Sequence, residues 1–153
     1  MNALEHKIPP PVVFFVIAAL MWAATWILPT TAIPHGWRRS IAGLLFVLAV
    51  LLASSGISAF RRAKTPLDPV HIDRASTLVT SGIYKFTRNP MYLGLTTLLL
   101  AWAALLSAPW LLLGPVVFVL FIDRFQIVPE ERAMRAKFGA QYADYAARVR
   151  RWI

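Results

Sequence analysis

The chain has 153 residues, of which 58% are hydrophobic and 15% charged, and its formal net charge at pH 7 is +9. A soluble domain of this size does not carry so much apolar surface, so an ordinary soluble enzyme is excluded. Because the chain has no cysteine, a disulfide framework and a thiolate metal site are excluded as well. His6, His35 and His71 are scattered without metal-ligand spacing, and we expect no metal site.

Four apolar stretches are candidates for membrane spans, since a span needs about 20 mostly apolar residues. They cover residues 8–28, 40–57, 92–108 and 110–122. The first is longer than the apolar region of a signal peptide and has no clear small-residue cleavage site after it, so we expect it to be retained. The sequence therefore predicts an all-α, multi-pass membrane protein with four transmembrane helices, in a single domain over residues 1–153.

Prolines and glycines predict where these helices begin and end. A tight turn at Ala108-Pro109 would make the third and fourth helices an antiparallel hairpin, and Gly56 is expected to end the second helix. The expected helices cover residues 11–28, 37–55, 90–107 and 109–128.

The 58–90 loop is long for a compact protein, and loops of this length are usually functional or disordered. Its apolar and aromatic residues argue against disorder. Within it, residues 77–82 predict a short extended segment and a turn.

The last part of the chain predicts an amphipathic helix. Pro129-Glu130-Glu131 has the pattern of a fresh helix start. Apolar residues then recur at spacings of three and four on one helical face, with Gly139 as a possible break. This tail helix is suited to a membrane surface or to folding over the hairpin. The apolar residues are Met134, Phe138, Tyr142, Tyr145 and Val149.

The basic residues are unevenly distributed between the predicted loops. Most of them lie in the 58–90 loop and in the tail, whereas the opposite side of the predicted bundle holds only Arg38 and Arg39. The positive-inside rule then places both termini and the 58–90 loop in the cytoplasm. This rule explains the charge better than nucleic-acid binding, and we expect no nucleic-acid partner.

Polar groups cluster at one end of the predicted hairpin. Residues 82–92 lie directly before the third apolar stretch, and Glu130-Glu131 follow the fourth helix, so both clusters are expected at the same membrane face. Such groups are expensive near hydrocarbon and are kept there mostly for a site. The alternative is structural: Asn89 and Pro90 only start a helix, and the acidic pair only complements a helix dipole.

The order of these residues resembles a known family. The pattern Gly82-x-Tyr84-x-x-x-Arg88-Asn89-Pro90-x-Tyr92-x-Gly94 is followed by the apolar hairpin and then by Glu130-Glu131, Phe138-Gly139, Tyr142, Tyr145 and Arg148-Val149. It is similar to the isoprenylcysteine carboxyl methyltransferase family, whose C-terminal half is shared by phospholipid N-methyltransferases. The resemblance covers about residues 64–150. The commoner form of the first motif has histidine where this chain has Asn89.

The resemblance implies an integral membrane methyltransferase that binds S-adenosylmethionine at the cytosolic face. Residues 1–57 would supply two N-terminal transmembrane helices, and residues 58–153 the cofactor-binding loop, the hairpin and the tail. It also implies that Arg88 and Arg148 lie near the reacting carboxylate of the acceptor. The residues that it implies for the cofactor pocket are Tyr84, Asn89, Pro90, Tyr92, Gly94, Glu130 and Glu131.

The expected partners are the lipid bilayer and a lipophilic or prenylated acceptor, whose identity the sequence leaves open. A carboxylate acceptor is already ionised at neutral pH and needs no general base. A lipid amine would have to lose a proton, for which Asp123 or Glu130 is a candidate base. Outside methyl transfer, a small membrane scaffold and a reductase of the related sterol type, which is usually much larger, remain as alternatives.

Overall fold

The computed structural model describes residues 8–31, 33–65 and 77–153. Within these residues the fold is all-helical, as the sequence predicts, and has no strand. The predictions for His6 and His71 and for residues 66–76 of the loop lie outside the described residues. The α-helices are α1 (Pro10–Ala24), α2 (His35–Arg62), α3 (Pro90–Leu106), α4 (Leu113–Ile122) and α5 (Val128–Arg148).

The first two helices differ in length from the prediction. α1 ends early, at Ala24, and α2 continues through Gly56 to Arg62, so the prediction that Gly56 ends the helix is wrong. This glycine serves packing instead. A Cβ at position 56 would lie 3.1 Å from side-chain atoms of both Pro90 and Met91, so its absence lets the start of α3 approach α2 closely.

α3 and α4 form an antiparallel hairpin. α3 ends at Leu106, and the next residue, Ser107, has a left-handed φ of 56° that turns the chain. A 3-10 turn over Pro109–Leu112 then leads into α4. The turn is held from the loop after α1, because the backbone N–H and the hydroxyl of Thr31 both donate to the carbonyl of Ser107, at 2.7 and 2.8 Å.

α4 passes into α5 through a π-helical turn over Asp123–Ile127. The helix start predicted at Pro129 lies within one residue of the start of α5 at Val128, but the chain remains helical across this junction. The proline is tolerated because it follows directly on this widened turn, where the regular backbone hydrogen bonds are already interrupted. The predicted break at Gly139 is confirmed, since that residue has φ 50° and ψ −124° inside α5.

α3 is the central element of the packing. α2 lies along it closely, and a Cβ at Gly94 would be only 3.0 Å from the carbonyl oxygen of Ala49. α1 and α4 pack against α3 and against each other around the fully buried Leu99, Phe118 and Ile122. Burying each of these side chains contributes about 1.5–3 kcal/mol. This packing brings the beginnings of α1, α3 and α5 to one end of the molecule.

The helices have the composition of a membrane protein. Two helical stretches, His35–Arg62 and Pro109–Arg148, are long and apolar enough to cross a membrane, and α1 and α3 are shorter apolar helices. Large apolar side chains of α1, α2 and α4 remain exposed, as expected for surfaces that face lipid. Examples are Phe15, Leu20, Leu44, Leu51, Leu113 and Leu120.

Candidate functional site

A cavity of about 420 Å³ lies at the end of the molecule where α1, α3 and α5 begin. This volume is in the range of small-molecule sites. Arg88, Glu130 and Glu131 supply its charged groups, and most of its remaining wall is apolar or aromatic. The other wall residues include Pro10, Ala53, Ile57, Phe60, Leu78, Tyr84, Met91, Leu95, Ile127, Met134, Tyr142 and Tyr145.

Aromatic contacts hold the segment that precedes α3. A 3-10 turn over Gly82–Lys85 places Tyr84 against Phe60 of α2, with ring centroids 5.5 Å apart. Tyr145 of α5 donates its hydroxyl to the carbonyl of Tyr84 at 2.8 Å. Burial raises the pKa of both tyrosines, so their hydroxyls remain protonated and neutral. This part of the wall is therefore a rigid aromatic surface.

Glu130 is the carboxyl group at the charged end of the cavity that has no arginine partner among the described residues. Its Oε1 accepts a hydrogen bond of 2.6 Å from the Tyr92 hydroxyl. Burial raises the pKa of Glu130 to about 7; the Tyr92 hydrogen bond opposes this rise, and the nearby Glu131 charge adds to it. Near neutral pH the carboxyl therefore exists in both protonation states, and a bound cation would favour the ionised one.

Glu131 is the centre of an ion network. Its Oε1 accepts from Nη2 of Arg88 at 2.7 Å and from Nε of Arg151 at 3.0 Å, and its Oε2 accepts from Nη2 of Arg151 at 2.7 Å. Arg151 also donates through Nη1 to both oxygens of Asp123, at 3.0 Å each. The hydrogen bonds to Glu131 are the main cause that raises the pKa of Arg151, which stays charged.

Arg88 is fixed from two directions. Its Nη1 donates to the carbonyl of Ala146 at 3.0 Å, and its Nη2 is held by Glu131. Its Nε is buried and has no hydrogen-bond partner in the described part of the chain. A buried donor without a partner is costly, and such groups in native proteins call for an explanation.

The end of the chain folds back beside the start of α3. The side-chain amide of Asn89 donates to the carbonyl of Arg151 at 2.9 Å, and the backbone N–H of Arg88 donates to the carbonyl of Arg150 at 3.1 Å. Asn89 occupies the N-cap position of α3 without making a side-chain capping bond. Its amide instead places Arg151, and hence the ion network, at the cavity.

The residues that build most of this cavity lie in a region that matches a known family. The family described as phospholipid methyltransferase matches residues 37–141, which is more than half of the chain. The chain belongs to the phospholipid methyltransferase family. The family predicted from the two motifs is thereby confirmed.

Curated relatives agree with this membership. The chain is 28% identical over 118 residues to protein-S-isoprenylcysteine O-methyltransferase B of Arabidopsis thaliana, in a match that covers 75% of the chain and 58% of the plant protein. A probable protein-S-isoprenylcysteine O-methyltransferase of Oryza sativa subsp. indica is 29% identical over 117 residues, which cover 74% of the chain and 60% of that protein. The chain thus spans less than two thirds of the length of these plant relatives.

A shorter bacterial relative is more similar. An uncharacterized protein of Haemophilus influenzae is 44% identical over 63 residues, which are its whole length and 41% of the chain. No solved structure matches the chain significantly.

The structure of this phospholipid methyltransferase family member brings most of the predicted site residues together. Those that line the cavity are Tyr84, Arg88, Asn89, Tyr92, Glu130 and Glu131. Pro90 and Gly94 do not line it: Pro90 is buried at the start of α3, and Gly94 packs against α2. Arg148 is exposed and donates through Nε to the carbonyl of Asp144 at 3.2 Å, so the structure does not bring it to the cavity.

The motif comparison did not find Arg151, which carries the ion network. In the sequence it is one of several basic residues near the end, and its charge was explained by membrane topology alone. The acidic residues were the signal that could have found it. Asp123, Glu130 and Glu131 are close in sequence and need basic partners. Phe60 and Met134 were also missed, because apolar wall residues have no distinctive pattern.

Proposed function

We propose that this protein transfers a methyl group from S-adenosylmethionine to a lipophilic acceptor at the membrane, most readily to the carboxylate of an isoprenylcysteine-like compound. One observation carries the proposal. The cavity joins a charged end, which contains Glu130 and Arg88, to an apolar and aromatic wall. A zwitterionic cofactor and a greasy acceptor need these two environments side by side.

The charged end fits the cofactor chemically. S-adenosylmethionine carries a cationic amino group and supplies, when bound, an electrophilic methyl group on a sulfonium. Glu130 is the residue that would hold the amino group, because its buried carboxyl has no arginine partner among the described residues. Glu131 is already occupied by Arg88 and Arg151 and would act indirectly, by holding them in place.

Arg88 is the residue that would hold an acceptor carboxylate. Two of its guanidinium nitrogens are bonded to protein groups, which fixes the plane of the guanidinium, and the third is the buried Nε without a described partner. Alignment alone can supply roughly 7–11 kcal/mol of a displacement barrier. A carboxylate attacks as it stands, because it is ionised at neutral pH.

Methylation of a lipid amine is the second candidate, and the raised pKa of Glu130 favours it. An ammonium acceptor must lose a proton before it can attack. A carboxyl group with a pKa of about 7 is suited to accept that proton near neutral pH. The family name and the relatives' names divide between the same two acceptor classes.

We also propose that the protein crosses the membrane four times, with both termini and the cavity at the cytoplasmic face. α1, α2, α3 and the stretch that contains α4 would be the spans. Support comes from the apolar helices and from the distribution of the basic residues. Most of these residues lie in the 58–90 loop and in the tail, on the side proposed to be cytoplasmic. The polar residues from Asp123 onward would then lie outside the hydrocarbon, with Glu130 at the headgroup level.

Purified protein with tritium-labelled methyl donor tests the proposal. N-acetyl-S-farnesylcysteine and phosphatidylethanolamine are offered as the carboxylate and amine acceptors. A base-labile product from the first supports carboxyl methylation, and a base-stable product from the second supports N-methylation. Neither product, together with no binding of S-adenosylhomocysteine in a calorimeter, would leave a non-catalytic membrane protein as the better reading.

A further inference from the structure

A second cavity, of about 520 Å³, lies toward the other end of α3. It is a groove between α1, α2 and α3, and it shares no lining residue with the cavity described above. Its wall is apolar except at Arg39, and it includes Phe14, Phe46, Leu98 and Trp102. The volume lies in the range of about 300–1,000 Å³ that is typical of ligand sites.

The groove exists because α1 and α2 both pack against α3 but make few contacts with each other. Small residues widen the space between them. Ala42 and Gly43 of α2 and Ala101 of α3 lie along it, and a Cβ at Gly43 would meet no atom within 4 Å. Trp102 bridges one side, since its indole N–H donates to the carbonyl of Ala18 at 3.1 Å. The groove is therefore a built feature of the helix packing.

The charge at the mouth of the groove has no ion-pair partner among the described residues. Arg39 is exposed, and the sequence has no Asp or Glu from residue 8 to residue 65. Its neighbour Arg38 donates to the carbonyl of Leu105 at the end of α3. Exposed Trp37 and Trp110 lie at the same end of the molecule, and tryptophans of this kind are typical of the headgroup level. Arg39 is thus placed where lipid phosphates are.

We propose that this groove binds one membrane phospholipid, with an acyl chain between α1 and α2 and its phosphate against Arg39. From Leu105 to Leu98 the groove follows α3 for about 10 Å, at 1.5 Å of helix rise per residue. That depth suits the upper part of an acyl chain in one leaflet of a core about 30 Å thick. The acceptor of the proposed reaction is a poorer occupant, because the groove shares no residue with the charged cavity.

The test compares lipid retention by variants in native mass spectrometry. Protein in mild detergent is titrated with phosphatidylglycerol and with phosphatidylcholine of the same chain length. We expect the wild type to retain one phospholipid and to prefer phosphatidylglycerol. Gly43→Leu should fill the groove and abolish retention, whereas Gly43→Ala should keep it. Arg39→Gln should reduce the preference for the anionic lipid about fivefold, the effect of one basic residue at a membrane surface.

Controls separate the groove from general effects. Leu44→Phe changes the exposed side of the same helix, and Arg61→Gln removes a cation at the other end of α2; both should retain lipid like the wild type. Unchanged helicity and S-adenosylhomocysteine binding show that Gly43→Leu is folded. Equal retention by the wild type and Gly43→Leu would overturn the proposal. So would a higher KM for the acceptor in Gly43→Leu with lipid retention unaltered, because the acceptor tail would then be the occupant.

Discussion

Exchanging each of two adjacent glutamates for glutamine should separate ligand binding from stability. Glu130 accepts one hydrogen bond, from the neutral Tyr92 hydroxyl, whereas Glu131 accepts three from Arg88 and Arg151. We expect Glu130→Gln to weaken S-adenosylhomocysteine binding with little change in folding. We expect Glu131→Gln mainly to destabilise the protein.

The contacts give the sizes of the two effects. A hydrogen bond to a charged group is worth about 1.5–3 kcal/mol, so Glu130→Gln should lower the affinity about 10- to 150-fold. The amide oxygen of the glutamine can still accept from Tyr92, which keeps the fold. Breaking a buried ion pair costs about 3–5 kcal/mol, and since Arg151 is partly exposed and keeps Asp123, we expect about 2–3 kcal/mol for Glu131→Gln.

Calorimetry with S-adenosylhomocysteine and thermal unfolding of the same preparations measure both effects. For a chain of this size, about 2–3 kcal/mol corresponds to a fall in Tm of about 4–12 °C. Asp144→Asn is the matched control, because this exposed carboxylate lies outside the cavity and should change neither quantity. Wild-type affinity in Glu130→Gln, or a wild-type Tm in Glu131→Gln, would refute the division of roles.

Cofactor affinity should fall as the pH is lowered below about 7, because protonated Glu130 cannot pair with a cation, and should level off near the affinity of Glu130→Gln, about 10- to 150-fold lower; Glu130→Gln should lose this dependence in calorimetry across pH. Arg88→Lys should keep cofactor binding but lose most methyl transfer in kcat as well as in apparent acceptor affinity, since lysine lacks the planar fork. Arg148→Lys, at an exposed position, should retain turnover; a loss equal to that of Arg88→Lys would place Arg148 in the site. Reporter tags at residues 1 and 153 should both be cytoplasmic, and one tag on the opposite side would contradict four spans.

Local signals in the sequence were sufficient to predict the helices that begin or end at a proline or a turn. Pro90 after a polar cluster and the Ser107-Ala108-Pro109 turn delimit α3, and the structure has α3 at Pro90–Leu106. The hairpin brings residues 84–92 and the Glu130-Glu131 pair to one cavity. Short-range turn chemistry and helix length are enough to place both segments at the same end of the hairpin, which is why this part could be predicted.

Tertiary contacts decided the features that could not be predicted. The low helix propensity of glycine predicts that α2 ends at Gly56. The packing of Pro90 and Met91 on this residue instead keeps α2 helical. A π turn has no sequence signature. The sequence therefore does not show that the chain stays helical from α4 up to Pro129. Arg151 is held at the site by contacts that are distant in sequence, such as the bond from Asn89 to its carbonyl, between residues 62 positions apart.

The ion network also explains why the cavity would bind a single cation although three acidic residues, Asp123, Glu130 and Glu131, lie near it. Arg88 and Arg151 are matched by Glu131 and Asp123, so these four charges largely cancel one another. Glu130 is the remaining acid, and its surroundings are apolar enough to raise its pKa. An isolated carboxyl in such a place is costly when ionised unless a cation pairs with it. The C-terminal segment, by supplying Arg151, therefore makes the two adjacent glutamates unequal and leaves Glu130 for the ligand.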